Sequence, residues 1–345
     1  MAAAISRQEG IQVRIYAPPG THPPSIISDI PESDARWLEQ LMDQGGIAHL
    51  LRNQPFKGLV WGTKLSAGLR QAYKRNKNCD LFHVNWLQCA LFIPSRLKQP
   101  LLVTVLGSDM GLLRHRAIVA RLRSVFRSRP TVIAPNAEWM ESDLRQLFGD
   151  IATIQTVAFG IDSEWFDIKR QPQASEKKWL AIFRLTAKKI GPLLDWGENV
   201  FTGANQLHLI GPMQEQITLP SWVNYHGPSN PSSLQTEWLP NAAGLITLSQ
   251  HDEGRPQIML ESMAAGLPMV VSPLKAHTEL LTHGDNGFIV GSAQELAQAI
   301  NQLADSETNT RMGNRAREIA QQRFGTWDDC ARRYLSLYQQ LGANL

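Results

Sequence analysis

The sequence has few cysteines and no long hydrophobic run. Its three cysteines, Cys79, Cys89 and Cys330, are widely spaced and form no Cys-x-x-Cys pattern. This spacing argues against a disulfide framework or a zinc site and favours buried free thiols. No stretch approaches the roughly 20 apolar residues that cross a bilayer. The first ten residues, MAAAISRQEG, lack the apolar core of a secretory signal. We therefore expect a cytoplasmic protein.

The chain also has little net charge, but that charge is unevenly distributed. The formal net charge is +3 over 345 residues. Residues 1–165 contain 19 Lys and Arg against 14 Asp and Glu, a net +5, whereas the remainder has 15 against 17. This imbalance predicts that the first half meets something anionic, such as a membrane surface or a phosphorylated substrate.

Short apolar, β-branched runs alternate with helix-length amphipathic segments, which predicts an α/β fold with parallel sheets covered on both faces. A polar segment, KRQPQASEKK, separates two sets of runs. The first set lies at 12–18, 80–84, 100–106, 131–135 and 153–159, with helical patterns at 86–98 and 137–148; the second lies at 179–184, 206–211, 222–227, 244–249 and 268–273.

The length suits two domains rather than one core. We expect Rossmann-like, doubly wound domains at 1–163 and 179–325, joined by an exposed linker at 164–178. A final helix in 326–345 is expected to pack back toward the first domain. Ligands of such folds bind in the cleft at the carboxyl ends of the strands.

The most informative stretch is HDEGRPQIMLESMAAGLPMVVSP, residues 251–273. Gly254 permits a tight turn, and Pro256 is suited to the start of a helix. The N–H groups of Gln257 and Ile258 lack intrahelical acceptors and lie at the positive end of the helix dipole, which suits a diphosphate. No dedicated metal site is visible in the sequence.

Two carboxylates flank this predicted anion site. Glu253 precedes the helix and Glu261 lies about a turn and a half inside it. Carboxylates only accept hydrogen bonds, so each can grip sugar hydroxyls. The helix would hold their separation fixed.

Residues 251–273 resemble the signature of the retaining glycosyltransferases of the GT-B fold, family-four type (glycosyl transferases group 1). That signature has two glutamates with seven residues between them, in a stretch like EGFPNVLLEAMACGLPVV. The resemblance implies two Rossmann-like domains facing across a cleft. It also implies that Glu253 contacts the donor sugar at the reacting centre and that Glu261 holds the ribose hydroxyls. Gly254, which matches the signature, is a further candidate for donor binding.

The segment AIFRLTAKKIG, 181–191, resembles the family pattern of GRL followed by a lysine five residues after the arginine. Arg184 and Lys189 match that spacing and are predicted to bind the donor phosphates. Phe183 replaces the family's glycine, and Ile190 stands where a glycine normally follows the lysine. The second departure leaves Lys188 as a possible substitute for Lys189.

Two segments of the first domain, DLFHVNW and VTVLGSD, resemble the family's DIVHAHW and VTLHGSD. His83 keeps its place, and it is either a core histidine or a catalytic one. The histidine that reaches the donor sugar in the family is Leu106 here. The leucine side chain makes no hydrogen bond, so either Asp109 and Ser108 take over part of that role or the donor lacks the hydroxyl that the histidine reads.

Three further residues are candidates for donor binding. Gly20 is the remaining glycine of the loop at 17–25, where the family usually has a glycine-rich loop. Tyr225 and His226 stand near a strand end that lines the nucleotide base in the family; a structural role is equally compatible with their sequence context.

An arginine-rich helix is predicted within 112–130, with six arginines and no acid, all between residues 114 and 129. It is either a solvated outer helix or a surface for anionic lipid head groups, each cation near such a surface contributing about 1 kcal/mol. Nucleic acid is disfavoured because no aromatic residues interleave with the cations.

The resemblance implies a retaining, metal-independent glycosyltransferase that needs no cofactor beyond its nucleoside diphosphate sugar. The implied acceptor is a hydroxyl of a glycan or lipid-linked precursor of cell-surface polysaccharide or lipopolysaccharide. Peripheral association with the inner face of the membrane is the corresponding location. Two alternatives stay open: a non-catalytic sugar-nucleotide-binding subunit, suggested by Leu106 and Ile190, and a nucleotide-sugar epimerase on the same fold.

Overall fold

The structure is a computed structural model that describes residues 1–20, 22–171, 176–251 and 253–343. The chain forms two compact units. Unit 1 comprises Met1–Asn136, Met140–Val157 and Asp328–Leu345; unit 2 comprises Ala137–Trp139 and Ala158–Trp327.

The strands of unit 1 come before residue 155 and those of unit 2 after residue 176. In chain order they are β1 Val13–Ile15, β2 Ile26–Ser28, β3 Phe82–Asn85, β4 Leu101–Val105, β5 Thr131–Pro135, β6 Thr153–Ile154, β7 Lys177–Ile182, β8 Asn205–Ile210, β9 Val223–Tyr225, β10 Ala242–Thr247, β11 Met269–Val271 and β12 Gly287–Ile289.

Helices follow most of the strands. They are α1 Ala2–Ser6, α2 Glu32–Asp43, α3 Gly46–Asn53, α4 Pro55–Arg75, α5 Leu87–Ala90, α6 Arg116–Arg127, α7 Glu141–Phe148, α8 Ala187–Ile190, α9 Leu193–Gly197, α10 Pro231–Ser233, α11 Gln257–Ala264, α12 Lys275–Thr278, α13 Ala293–Leu303, α14 Ser306–Ile319 and α15 Trp327–Gln340. Short 3-10 turns lie at Ser108–Arg114, Glu138–Met140, Ser163–Trp165 and Leu239–Asn241, and π turns at Leu234–Trp238 and Ala320–Phe324.

Unit 2 contains one six-stranded parallel sheet in the order β12-β11-β10-β7-β8-β9. The first strand of the unit, β7, is therefore central; the chain winds outward through β8 and β9, then returns to β10 on the other side. This is the doubly wound Rossmann order, and its direction reverses between β7 and β10.

Two apolar clusters cover the faces of this sheet. Successive side chains of a strand point to opposite faces. Accordingly, Leu180 of β7 belongs to the cluster beneath α11 and α14, and its neighbours Trp179 and Ala181 belong to the cluster beneath α13. All three are fully buried. The near-continuous apolar runs predicted from the sequence correspond to strands buried on both faces.

Unit 1 contains a four-stranded parallel sheet, β3-β4-β5-β6, and a two-stranded parallel pair, β1-β2. The helices α2, α3 and α4 form a separate small core that includes Trp37, Leu38, Leu41 and Leu50. The helix that ends the chain, α15, also belongs to this unit; its Tyr334 is fully buried and its hydroxyl lies 3.0 Å from Thr104 Oγ1 of β4.

Two details differ from the sequence-based expectations. The helix expected over 86–98 is only Leu87–Ala90, because Pro94 cannot donate a helical hydrogen bond and clashes with the preceding turn. Within the expected exposed linker, Ile168 and Arg170 pack into unit 2, and the Arg170 guanidinium donates to Gly266 O and Asn309 Oδ1, both at 2.8 Å. Residues 172–175 lie outside the described part of the chain.

None of the helices in the described ranges combines the length and hydropathy of a membrane-spanning segment.

Candidate active site

The predicted donor residues of unit 2 lie in the loops that follow β7 and β10. These two strands are hydrogen-bonded neighbours in a parallel sheet, so their carboxyl ends lie at the same edge. They are also the strands between which the winding reverses. In open α/β sheets, ligands bind outside the carboxyl ends of the strands at such a switch point. The sheet order therefore places residues 183–191, 248–251 and 253–256 at one edge of the sheet, which we call the binding edge.

Close backbone packing holds the first of these loops against the second. Gly191 has φ +56°, and a Cβ there would lie 2.1 Å from the Leu248 carbonyl oxygen, so only glycine fits without a shift. The preceding residue, Ile190, is 3% exposed and anchors helix α8 in the apolar core. Where the family has a glycine directly after the lysine, this chain has the core residue Ile190, and the glycine that the packing requires follows it as Gly191.

This packing brings Lys189 and Glu253 together. Lys189 Nζ lies 2.5 Å from Glu253 Oε1, and the two side chains are 18% and 11% exposed. Glu253 Oε1 also accepts a hydrogen bond of 3.0 Å from the Ser249 hydroxyl. The adjacent Lys188 is exposed. The geometry therefore favours Lys189 over Lys188 as the lysine of the site. Arg184 is exposed at the end of β7.

A buried histidine lies behind this pair. His277 is fully buried, and its Nδ1 lies 3.2 Å from the Ser272 hydroxyl, which donates to Ser249 O at 2.6 Å. Burial lowers the pKa of His277, while the nearby carboxylate of Glu253 opposes that shift. A neutral His277 therefore contributes no positive charge beside Glu253. No periodic pattern in the sequence indicates this residue.

A buried arginine holds the turn between Glu253 and helix α11. Arg255 is 6% exposed and forms an ion pair with Glu279. The Glu279 carboxylate also accepts the backbone N–H groups of Glu138 and Trp139, at 2.9 and 3.2 Å. The indole N–H of Trp139 donates to the carbonyl of Gly254 at 3.0 Å. These contacts, all within unit 2, fix the backbone on the carboxyl side of Glu253.

Sequence reasoning did not single out Arg255 or Glu279. One signal was present: Arg255 stands where the family motif has an apolar phenylalanine. A charge at a buried position needs a partner, but the sequence alone does not identify Glu279 as that partner because it lies 24 residues away.

Helix α11 begins at Gln257, after Pro256. The Gln257 side chain donates to Gly160 O at 3.0 Å, and Ile258 packs against the apolar core. Both side chains are therefore structural, and the predicted phosphate binding concerns only the backbone N–H groups of these residues. Burial, reinforced by the charge of Asp162, raises the pKa of Glu261 to about 7, and a hydrogen bond from Gln257 opposes the rise.

Tyr225 and His226 lie at the end of β9. The Tyr225 hydroxyl donates to Gly211 O at 3.0 Å, and its side chain is 38% exposed. His226 stacks on His208 with Nε2 to Nδ1 at 2.9 Å, and its ring lies 4.5 Å from that of Trp238. These contacts leave part of Tyr225 accessible; base binding by either residue stays a prediction.

Two predicted residues of unit 1 have structural partners. Burial beneath the helix α15 lowers the pKa of His83 to about 3. Its Nδ1 lies 2.6 Å from the Tyr338 hydroxyl and its Nε2 2.8 Å from Thr104 Oγ1, so both ring nitrogens are engaged. This arrangement matches the core-histidine alternative. A catalytic role for His83 would require one of these contacts to open.

Asp109 is 1% exposed, and its carboxylate accepts the backbone N–H groups of Leu87 and Leu106 at 3.0 and 3.1 Å. Burial raises the pKa of Asp109 above its usual value, and these backbone hydrogen bonds partly oppose that rise. The carboxylate is thus occupied in holding the ends of β3 and β4 together. Gly20 is exposed, with open space around its Cα, and it adjoins Thr21, which lies outside the described residues.

Trp86, at the carboxyl end of β3, was not predicted. It is 41% exposed, and among the described non-glycine residues it alone has a positive φ, +67°. Its strained backbone is held by a hydrogen bond of 2.9 Å from its N–H to Thr104 O. No sequence pattern signals a strained residue of this kind.

No cluster of three or more His, Cys, Asp or Glu side chains that could hold a metal ion occurs in the described part of the chain. The positive groups of the binding edge are instead Arg184, Lys189 and the start of helix α11.

Comparison with known proteins agrees with this arrangement. Residues 184–306, which include both loops and helix α11, match the family model for glycosyl transferases group 1. Spore coat protein SA of Bacillus subtilis (strain 168) is 29% identical over 150 residues, which is 42% of this chain and 38% of that protein. The chain thus spans well under two thirds of that relative.

Two solved structures share the fold. Sucrose-phosphate synthase from Thermosynechococcus elongatus superposes with a TM-score of 0.72 at 18% identity, covering 99% of this chain and 91% of that one. Anabaena HepE in complex with UDP gives a TM-score of 0.67 at 18% identity, covering 80% and 83%. The fold is therefore GT-B, with two Rossmann-like units. The residues that carry the Lys189–Glu253 pair thus lie within the part of the chain, 184–306, that is similar to the glycosyl transferases group 1 family.

Proposed function

We propose that this protein transfers a glycosyl unit from a nucleoside diphosphate sugar to a hydroxyl acceptor, with retention at the anomeric carbon and without a bound metal. The observation that carries the proposal is the Lys189–Glu253 ion pair at the switch point of the unit 2 sheet. It sets a cation and a carboxylate side by side where a ligand enters. A structure of the same fold was solved with UDP, which supports a nucleotide donor.

The charges suit the bond that breaks. When the bond between the anomeric carbon and the diphosphate oxygen breaks, its electron pair leaves with the diphosphate and positive charge grows on the sugar. The acceptor hydroxyl oxygen then bonds to the anomeric carbon, and its proton passes to the departing diphosphate. Arg184, Lys189 and the first N–H groups of helix α11 would stabilise the leaving diphosphate. Glu253 would stabilise the sugar cation, and Glu261 would accept the ribose hydroxyls. In this scheme fixed cations do the work of a metal.

Glu253 provides the test. A thermal-shift panel of UDP-, GDP-, ADP- and dTDP-sugars should identify the donor, and release of nucleoside diphosphate in the presence of a cell-envelope extract should report transfer. We expect Glu253→Gln to keep the thermal shift and to lose turnover by about 100- to 1000-fold, the loss typical of removing a group that stabilises transition-state charge.

The possible outcomes separate the alternatives. A wild-type protein that responds to none of the four nucleotide sugars contradicts the donor proposal. One that binds a nucleotide sugar but never releases nucleoside diphosphate favours the binding-only subunit. Interconversion of the donor sugar without an acceptor favours the epimerase. Full turnover by Glu253→Gln removes Glu253 from the reaction.

We further propose that the acceptor is a glycan or lipid-linked precursor of cell-surface polysaccharide or lipopolysaccharide. Trp86, exposed at the carboxyl end of β3, provides an aromatic face on which a sugar ring can stack. Trp86→Ala should therefore raise the KM for the acceptor and leave the donor-induced thermal shift unchanged. An unchanged acceptor KM would contradict this role.

We also propose a cytoplasmic protein that associates with the inner face of the membrane through the arginine-rich helix. Within 114–129, Arg114, Arg116, Arg121 and Arg127 are exposed. Arg123 pairs with Asp150, and Arg129 is buried. An open groove of about 510 Å³ lined by Arg123, Ser124, Arg127 and Ser128 suits an anionic head group. The thiols of Cys79, Cys89 and Cys330, none of them in a disulfide, suit a reducing compartment.

A further inference from the structure

Unit 1 exposes large apolar side chains in a segment that contains no acid. Residues 44–79 include seven Lys and Arg and no Asp or Glu. Within this segment Phe56 is 88% exposed, Val60 63%, Leu59 62% and Leu51 47%. Single exposed apolar residues are common, but several together signal a binding surface.

These side chains are not needed for the core of the helical layer. Helix α4 contributes Trp61 and Leu65 to the cluster with Trp37, and it buries Gly58 and Gly68 on the same face. The exposed residues Phe56, Leu59 and Val60 stand at positions i, i+3 and i+4, so they share a different face of the helix. Helix α4 is therefore apolar at its amino end on both faces, although only one face is covered.

Helix α3 packs on the covered face of α4. A Cβ on Gly58 would lie only 2.7 Å from the backbone nitrogen of Leu51, so the two helices touch backbone to backbone. Phe56, Leu59 and Val60 lie on the other face of α4, and we refer to these three residues as the apolar surface.

Cations border the apolar surface and continue along the exposed face of α4. Lys57 Nζ lies 5.9 Å from the Trp61 ring centroid and Lys64 Nζ lies 4.9 Å from that of Trp37, so both ammonium groups lie over aromatic rings beside the apolar surface. Arg70 and Lys74 are exposed further along the helix.

We propose that the apolar surface inserts into the interface of an anionic lipid bilayer, with Lys57, Lys64, Arg70 and Lys74 contacting the lipid head groups. A helix with exposed apolar residues at one end and cations along the same face fits such an interface. A second copy of this chain fits poorly, because a symmetric contact would place like charges against each other.

This inference extends the membrane contact proposed for the arginine-rich helix but concerns a different surface. In α6, Leu122, Val125 and Phe126 are buried and Ile118 and Val119 are half-buried, so the groups it exposes most are its cations. Binding through α6 would be electrostatic and lost in high salt. Binding through the apolar surface should retain a salt-resistant part. Neither depends on glycosyl transfer.

The experiment is flotation of the full-length protein with phosphatidylcholine vesicles, with and without phosphatidylglycerol, at low and high salt. The test variant is Phe56→Ser/Leu59→Ser/Val60→Ser. Its matched control, Phe56→Leu/Leu59→Ile/Val60→Ile, keeps apolar side chains at the same positions. We expect wild type and control to float with the anionic vesicles, and the serine variant to bind at least about tenfold more weakly.

Three results would overturn the proposal. The first is equal flotation of the serine variant and wild type; the second is failure of the wild-type protein to bind anionic vesicles. The third is a wild-type dimer, in light scattering, that the serine variant dissociates, which would make a second copy the occupant. An unchanged thermal midpoint for the serine variant, together with its unchanged response to nucleotide sugars, shows that it is folded and separates this test from that of the transfer reaction.

Discussion

At the scale of single residues, two adjacent lysines with different surroundings test the site. Lys189 pairs with Glu253, whereas Lys188 is exposed. We expect Lys189→Ala to lower turnover about 100-fold or more, because it removes a charge beside the leaving diphosphate. Lys188→Ala should stay within about threefold of wild type, in line with a surface substitution. Steady-state release of nucleoside diphosphate measures both, and the reverse order of effects would transfer the role to Lys188.

A second residue-scale prediction follows from the raised pKa of Glu261, about 7 against an ordinary 4.5. Between these values the folded protein binds more protons than the unfolded chain, so the free energy of unfolding falls as pH rises through this window. The full loss is about 3 kcal/mol. Glu261→Gln removes the titration, so its stability relative to wild type should increase from about pH 5 to about pH 8.

Chemical denaturation of wild type and Glu261→Gln at the two pH values measures this change. A stability difference that is the same at both would show that the carboxyl group does not titrate in this range. Ligand-free protein is the appropriate sample, because a nucleotide that donates hydrogen bonds to Glu261 would stabilise its ionised form.

At the scale of elements, the glycine after helix α8 decides whether the two loops meet. We expect Gly191→Ala to lower the free energy of unfolding by about 2 kcal/mol or more, because it combines a positive φ with a clash at the Leu248 carbonyl. Turnover should also fall as Lys189 moves from Glu253. The measurements are thermal unfolding and nucleotide release.

Gly203 provides a matched control. It also has a positive φ, +61°, but a Cβ there meets nothing within 4 Å. Gly203→Ala should therefore cost only the backbone strain, about 1 kcal/mol, and leave turnover unchanged. If the two variants behave alike, close packing at Leu248 is not what positions α8.

At the scale of the whole molecule, the end of the chain completes the first unit. Helix α15 supplies the fully buried Tyr334 and Leu337 and hydrogen bonds to Thr104 and His83. Deleting 328–345 should unfold unit 1, since losing each large buried side chain costs about 3 to 5 kcal/mol against a total of about 5 to 15. Nucleotide binding by unit 2 should persist.

Hydrogen exchange in β3 and β4 would report this loss. Tyr338→Phe, which leaves His83 Nδ1 without its hydroxyl partner, should cost only about 1 to 3 kcal/mol and keep both strands protected. Protection of β3 and β4 in the deleted protein would show that unit 1 folds without the helix.

The sequence by itself determined the alternation of strands and helices from about residue 80 onward and the core of the candidate site, but it did not indicate β2 or helices α2, α3 and α4. Buried parallel strands have continuous apolar runs, so local composition was enough to predict β4, β5, β8 and β10. The sequence also predicted three site residues, Glu253, Gly254 and Glu261, because a turn and a helix fix their spacing within nine residues of chain. These features depend on interactions between residues that are close in sequence.

Only the tertiary structure decided which lysine faces Glu253, where Arg255 finds its partner, and why the pKa of Glu261 is raised. It also showed that the carboxylate of Asp109 is occupied by backbone N–H groups and that α15 completes unit 1. Each of these depends on burial or on contacts between residues far apart in the chain. Local propensity carries no record of such contacts, because burial and charge pairing arise only when separate segments pack together.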